Sequence, residues 1–408
     1  MINRKITPKL LDALSDSPVV LLHGARQSGK STLIKSLTET SSPAKYLTFD
    51  DPVIFSAAKS NPIEFLEAYE ENLAVDEVQR IPEIFLAIKN IVDKKRKPGK
   101  FILTGSSNVL LLPKISESLA GRIEILTLYP FSQSEIESTE KNFIDKIFQK
   151  DFKFSNQIGK KNDLFKRITT GGYPEMLSRK EIERQNAWFK SYITTILQRD
   201  VRDLANIEKL SDLPKLLKIF ASRAGTLLNF AELSRSASLP QTTLRRYSTL
   251  LEAVFLSVSL PAYSGNLSKR LIKTPKLYLG DSGLLAHLIS LDKAKIYADP
   301  LIWGRTFENF ILLELIKSVS WSKHNISIYH FRTSSGHEVD FILERSDGSL
   351  VGIEVKASSQ VNSKMFDSLK VLAEETGRKF LRGFVIYTGN EPVPFAKNLF
   401  ALPASVLW

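Results

Sequence analysis

The chain has 408 residues, 43% of them apolar, a formal net charge of +12 and no cysteine. That length exceeds one ordinary hydrophobic core and predicts two or three globular domains. The missing cysteine excludes disulfides, thiolate zinc sites and a cysteine nucleophile, and suits a reducing compartment. The five histidines show no ligand spacing. Neither a basic leader nor an apolar run long enough to span a bilayer is present, so the expectation is a cytoplasmic protein with no structural metal and no membrane partner.

The first element is a short apolar strand, Val19 to Leu22, running into a glycine-bounded loop and then a helix. Gly24-Ala25-Arg26-Gln27-Ser28-Gly29-Lys30-Ser31 satisfies G-x-x-x-x-G-K-[ST] at every position and leads into Thr32. The two glycines let the loop curl so that its N–H groups converge on phosphate oxygens. Lys30 supplies a point charge, Ser31 a hydroxyl for Mg²⁺, and the helix start its positive dipole end. Residues 24–32 are therefore expected to bind ATP.

Lys45 to Phe49 reads as a second strand and Leu73 to Glu77 as a third, ending in two adjacent carboxylates. Asp76 is placed to hold Mg²⁺ through its water shell, and Glu77 to orient or deprotonate the water that attacks the γ-phosphate. A fourth strand, Phe101 to Thr104, ends in Gly105-Ser106-Ser107-Asn108, where Ser106 or Asn108 can sense the γ-phosphate. Ile123 to Leu128 makes a fifth. Strands alternating with helices imply a mainly parallel, three-layer α/β domain with nucleotide at the strands' carboxyl ends.

These stretches, with Val75-Asp76-Glu77-Val78-Gln79, Leu103-Thr104-Gly105-Ser106-Ser107 and Leu119-Ala120-Gly121-Arg122, resemble a bacterial and archaeal family of AAA-type ATPases followed by a C-terminal region called DUF4143. The resemblance extends through Gly171-Gly172-Tyr173-Pro174-Glu175 and Gln198-Arg199-Asp200-Val201, and implies the fold and ATP hydrolysis. Arg122, Arg199 and Arg202 are candidates for an arginine that stabilises the charge on the transferred phosphate.

The charge is unevenly spread: residues 1–140 carry −1, 141–300 carry +12 and 301–408 carry +1. A basic middle third is expected where the chain meets DNA. Asp163 to Asn206 is helical and basic, a lid or connector in which Trp188 and Tyr192 read as core. Asp212–Ala224, Phe230–Arg235 and Gln241–Leu251 follow as three helices. Leu256-Ser257-Val258 and Leu277-Tyr278-Leu279 can pair as a wing, with Thr242, Thr243, Arg245 and Arg246 on the leading helix of a winged-helix module.

The last region opens on an amphipathic helix from Gly304 to about Ser318. Two strands, His337 to Glu344 and Leu350 to Lys356, then flank the turn Ser346-Asp347-Gly348-Ser349. This places Asp340 nearly opposite Glu354, with Lys356 on the same face. Asp340 and Glu354, joined by Glu308, are candidate Mg²⁺ ligands, and Lys356 a candidate to orient an attacking water. Glu308, Asp340 and Glu354-Val355-Lys356 resemble the PD-(D/E)XK nuclease superfamily, with Val339 where that pattern often has proline, and this implies a restriction-endonuclease-like α/β domain.

The expected layout is an ATPase core at 1–140, a helical lid at 141–206, a winged-helix module at 207–295 and a nuclease-like domain at 296–408. The expected activity is ATP hydrolysis coupled to DNA engagement and Mg²⁺-dependent cleavage, possible as a homo-oligomer. The alternatives are a nucleotide-controlled DNA-binding protein without cleavage and an ATPase directed at a protein.

Overall fold

The computed structural model describes residues 2–106, 119–140, 142–152, 163–202, 212–265 and 273–408. Asn108 and the expected end of the lid at Asn206 lie outside them. Strands β1 (Val19–His23), β2 (Lys45–Thr48), β3 (Leu73–Asp76), β4 (Phe101–Gly105) and β5 (Ile123–Thr127) form a parallel sheet in the order β2-β3-β4-β1-β5. Side chains alternate along a strand. Val19 and Leu21 therefore pack with Phe85 and Ile88 of helix Ile84–Lys94, while Val20 and Leu22 pack with Leu10, Leu33 and Ile34 on the other face. Helices on both sides explain why β1 is apolar throughout rather than alternating. The Asp50-Asp51-Pro52 break after β2 also starts a helix: Asp51 caps Pro52–Ser60 by accepting from the Val53 amide at 2.8 Å.

Helices Leu164–Thr170, Pro174–Ser178 and Ile182–Thr195 follow, the last continuing into a π-helical turn, Ile196–Val201. Helices Leu213–Ser222, Phe230–Ala237 and Gln241–Ala253 then combine with β6 (Thr226–Leu227), β7 (Ser257–Leu260) and β8 (Lys276–Leu279) in the antiparallel order β6-β8-β7. In this set of three helices and three short strands the register pairs Ser257 with Leu279 and Val258 with Tyr278. The two-residue strand β6 is too short to carry a periodic signal in the sequence. Tyr173, Phe189, Tyr192 and Ile196 share one core with Leu217, Phe220, Leu244 and Leu284. Hydrophobic packing thus runs across the 206/207 line.

The C-terminal sheet has β9 (Ile326–Arg332), β10 (Glu338–Arg345), β11 (Leu350–Lys356), β12 (Phe380–Tyr387), β13 (Val393–Ala396) and β14 (Leu399–Pro403), in the order β13-β14-β12-β11-β10-β9. Helix Pro300–Ser320 packs Phe307, Ile311 and Leu315 against Phe341, Ile353 and Phe384, while Leu369 and Leu372 of helix Asp367–Thr376 cover Ile342 and Val385 on the other face. The first of these helices departs from expectation: it begins four residues earlier than Gly304 and is buried around most of its circumference, not amphipathic. Its inward polar groups are paired. Glu314 bonds Lys317 at 2.9 Å and accepts the Gln133 amide at 2.8 Å, and Lys317 donates to the Phe131 carbonyl at 3.0 Å. Residues 131–133, just after the parallel sheet, are thereby tied directly to the helix that covers the C-terminal sheet. Among the described residues, no helix is long and apolar enough to cross a membrane.

Candidate functional site

The loop after β1 follows directly from its sequence. A side chain at Gly24 would put a Cβ 2.1 Å from the Leu128 carbonyl oxygen, and Gly29 sits at φ +97° as the cap of helix Lys30–Thr40. Lys30 is 5% exposed, and its ammonium donates to the loop's own carbonyls, Gly24 at 3.0 Å and Ala25 at 2.9 Å. Burial pulls its pKa down to about 8, against the opposing pull of Glu77 and Asp76. Ser28 is fully buried with its hydroxyl unpartnered. Thr32 is exposed on the first helical turn.

Asp76 is met by three hydroxyls. Ser31 donates to it at 2.8 Å, Tyr46 at 2.6 Å, and Thr104 donates to its other oxygen. The serine hydroxyl and carboxylate so juxtaposed are the oxygen donors a hydrated Mg²⁺ takes, and the donor set fits that ion. Glu77, held at φ +61°, accepts a hydrogen bond from the Gln79 amide. The same amide donates to Ser106 at 3.0 Å. Sequence reasoning quoted Gln79 without a role and missed Tyr46 and Thr104; only strand register shows that 48, 76 and 104 end on one level. Arg26 reaches out of the loop to Asp200 in the π-helical turn at 2.7 Å, and Tyr192 donates to the Arg26 carbonyl at 3.2 Å. Arg122 is elsewhere, paired with Asp93 at the strands' amino ends, while Arg199 and Arg202 are exposed.

A second centre lies in a cavity of about 650 Å³ between the β6-β8-β7 sheet and β10–β11. The register continues one step from the Phe341–Ile353 pair to set Asp340 opposite Glu354. The Lys356 ammonium pairs with Glu354 at 3.1 Å, and Asp340 accepts the Val355 amide at 2.8 Å. Glu308 faces the same cavity. Burial and then the Asp340 charge push Glu308 up to about 7 and Glu354 well above the usual carboxylate range. Sequence reasoning missed Lys276, which reaches from β8 to Glu338 at 2.6 Å, Glu308 at 3.1 Å and Asp340 at 3.5 Å. It also missed Tyr278, which donates to Glu308 at 2.6 Å. The four expected residues are together, but as a self-paired network and not as the free carboxylates a divalent ion needs. Among the described residues no three His, Cys, Asp or Glu side chains converge as a metal ion requires, so the donor set does not fit Mg²⁺ in this conformation.

On helix Gln241–Ala253, Thr242, Arg245 and Arg246 are exposed and Thr243 is half-buried. The Arg245 guanidinium lies 4.5 Å from the Phe230 ring centre.

Residues 16–137 match the family model for an AAA domain, and residues 303–407 match the domain of unknown function DUF4143. The chain therefore carries an AAA-like stretch ahead of a DUF4143-like one. Between them, residues 161–295 match a further domain of unknown function, DUF8612, which spans the helices on both sides of the 206/207 line, as their shared core does. The uncharacterized proteins Rv2008c of Mycobacterium tuberculosis and Mb2031c of Mycobacterium bovis are each 29% identical over 404 residues, covering 98% of this chain and 83% of the relative. Among solved structures, AMPPCP-bound DnaA from Aquifex aeolicus is similar at 16% identity and a TM-score of 0.30, over 62% of this chain and 88% of that one.

Proposed function

We propose that the protein binds ATP with Mg²⁺ at residues 24–32, hydrolyses it, and uses the cycle to control how its basic winged helix engages DNA. The observation that carries the nucleotide reading is the placement of buried Lys30 beside the Ser31–Asp76 pair. On this reading the Lys30 ammonium leaves the Gly24 and Ala25 carbonyls for the β- and γ-phosphate oxygens, which also accept from the N–H groups of the loop. A bound Mg²⁺ supplies charge neutralisation between those phosphates, with Ser31 as a ligand and Asp76 holding its water shell. Glu77 accepts the proton of the attacking water as the oxygen bonds to the γ-phosphorus and the bond to the leaving ADP oxygen breaks. Gln79 fixes the Glu77 carboxylate and links it to Ser106, which is placed to report whether the γ-phosphate is present. In the test, Lys30→Ala is expected to abolish binding of labelled ATP, whereas Glu77→Gln keeps binding and lowers turnover by about 100-fold or more.

DNA engagement is supported by the concentration of the +12 charge in residues 141–300 and by exposed Arg245 and Arg246 on the leading helix. In this layout residues 1–140 hydrolyse, the middle grips and 296–408 supply a nuclease-like centre. The self-pairing around Lys276 favours the second reading for the conformation described, a nucleotide-controlled DNA-binding ATPase that does not cleave. Incubating DNA and Mg²⁺ with the protein and with Asp340→Ala and Glu354→Ala separates the two: only cleavage lost in both variants supports the nuclease.

A further inference from the structure

Lys276 belongs to the middle strand of the winged-helix sheet, yet its side chain, 4% exposed, ends among three carboxylates of the C-terminal domain. Glu354 is paired with Lys356, and the second Asp340 oxygen takes the Val355 amide. Every carboxylate expected to hold a divalent ion is thus already matched to a donor of this chain. A hydrated Mg²⁺ demands near-octahedral oxygens, and an ammonium held between Glu308, Glu338 and Asp340 fills the volume that ion would need. The lysine is not placed there by its own side chain alone. Two residues on, Tyr278 donates to Glu308 at 2.6 Å; next to it the Leu279 amide donates to Asn309 at 2.8 Å, and Asn309 returns a bond to the Leu279 carbonyl at 3.2 Å. The turn before β6 also fits closely, since a Cβ on Gly225 would stand 3.4 Å from Glu308 Oε2.

We infer that Lys276 is the resident cation of this centre and bars it to divalent metal for as long as the winged-helix sheet stays docked on helix Pro300–Ser320. The inference rests on reading Glu308, Asp340, Glu354 and Lys356 as a nuclease-like set. Lys276 is carried by β8, which is tied to Asn309, so lifting the strand from Asn309 draws the ammonium out of the centre. β8 is hydrogen-bonded to β6 and to β7, and β7 directly follows the helix Gln241–Ala253 that bears both Arg245 and Arg246. A load on the winged helix is therefore transmitted to the lysine, and metal entry is coupled to what that module holds.

The test titrates nucleotide-free, full-length protein with Mn²⁺ and follows loss of the free-ion EPR signal. Wild type and the double variant Asp340→Asn/Glu354→Gln are expected to take up equal amounts. Lys276→Ala and Lys276→Met are each expected to gain one Mn²⁺ per chain, at least ten-fold tighter than any wild-type uptake, and to lose it when Asp340→Asn/Glu354→Gln is added. Wild-type uptake that the double variant removes overturns the inference. So does a Lys276 variant that unfolds cooperatively on heating yet gains no Mn²⁺. Should both Lys276 variants fail to fold, the wild-type comparison decides by itself: uptake sensitive to Asp340 and Glu354 refutes, and its absence supports. DNA cleavage by the Mn²⁺-loaded variant is scored separately. Metal gained without cleavage keeps Lys276 as the resident cation and removes the nuclease-like reading.

Discussion

Lys30 shows what a phosphate loop costs before its phosphate arrives. Burial holds its pKa near 8, against about 10.4 in an unfolded chain. Between those values the unfolded state binds more protons, so stability rises with pH across that window. At neutral pH the folded protein carries a buried charge worth about 3 kcal/mol. Lys30→Met is expected to raise the thermal midpoint of nucleotide-free protein at pH 7, by an amount that shrinks from pH 8 to 10.5, while abolishing ATP binding. His23 behaves similarly on the acid side. Burial, and secondarily the Lys30 charge, pull it to about 4. Below its unfolded value of about 6.5 the unfolded state takes the proton first, and stability falls as pH drops from 6.5 towards 4, by up to about 3 kcal/mol. His23→Gln, which keeps a partner for Thr127 at 2.8 Å in the parent, is expected to flatten that limb in urea unfolding followed against pH. Residues 24–31 are legible in sequence because a phosphate cradle is built from one contiguous turn. Lys276 is not, because its partners stand 32, 62 and 64 positions downstream and its strand reads as an ordinary wing.

Between elements, the contact that joins the loop to the lid is Arg26 with Asp200, in a π-helical turn of the kind that often marks functional positions. Asp200 is buried, has one oxygen without a partner, and is held above the usual carboxylate range by that burial. A carboxylate facing Lys30 across the loop opposes an incoming polyphosphate. Asp200→Asn is expected to tighten ATP several-fold in calorimetry. Trp188, stacked on Tyr192 at 4.8 Å, reports any lid movement by its fluorescence, with Trp188→Phe as control. The inner strands of the parallel sheet could be read from continuous apolar runs because β1, β3 and β4 are buried along their length. The helix from Pro300 is legible as a helix but its burial is not: Glu314 and Lys317 mimic a polar face in sequence, and only their pairing with each other and with residues 131 and 133 shows that this side is inside.

For the whole molecule, the basic middle makes a prediction that separates DNA from protein as the target. Arg245→Ala/Arg246→Ala is expected to weaken DNA binding and lower the salt slope by about two ions, from loss of two phosphate contacts. Salt-insensitive or absent DNA binding in the parent would favour a protein-directed ATPase. A turnover per subunit that climbs with protein concentration would place an arginine of a second copy, such as exposed Arg199 or Arg202, at the nucleotide.

The tie from residues 131 and 133 to the helix beginning at Pro300 has one more effect. ATPase sheet, lid with wing, and terminal domain touch each other in a closed circuit: Arg26 to Asp200, Lys276 to Glu308, and Glu314 back to Gln133. Cutting a single covalent link opens a chain but not a circuit. An engineered protease site at Ser290–Leu291, between the wing and the terminal domain, should therefore yield two fragments that still elute together as one species.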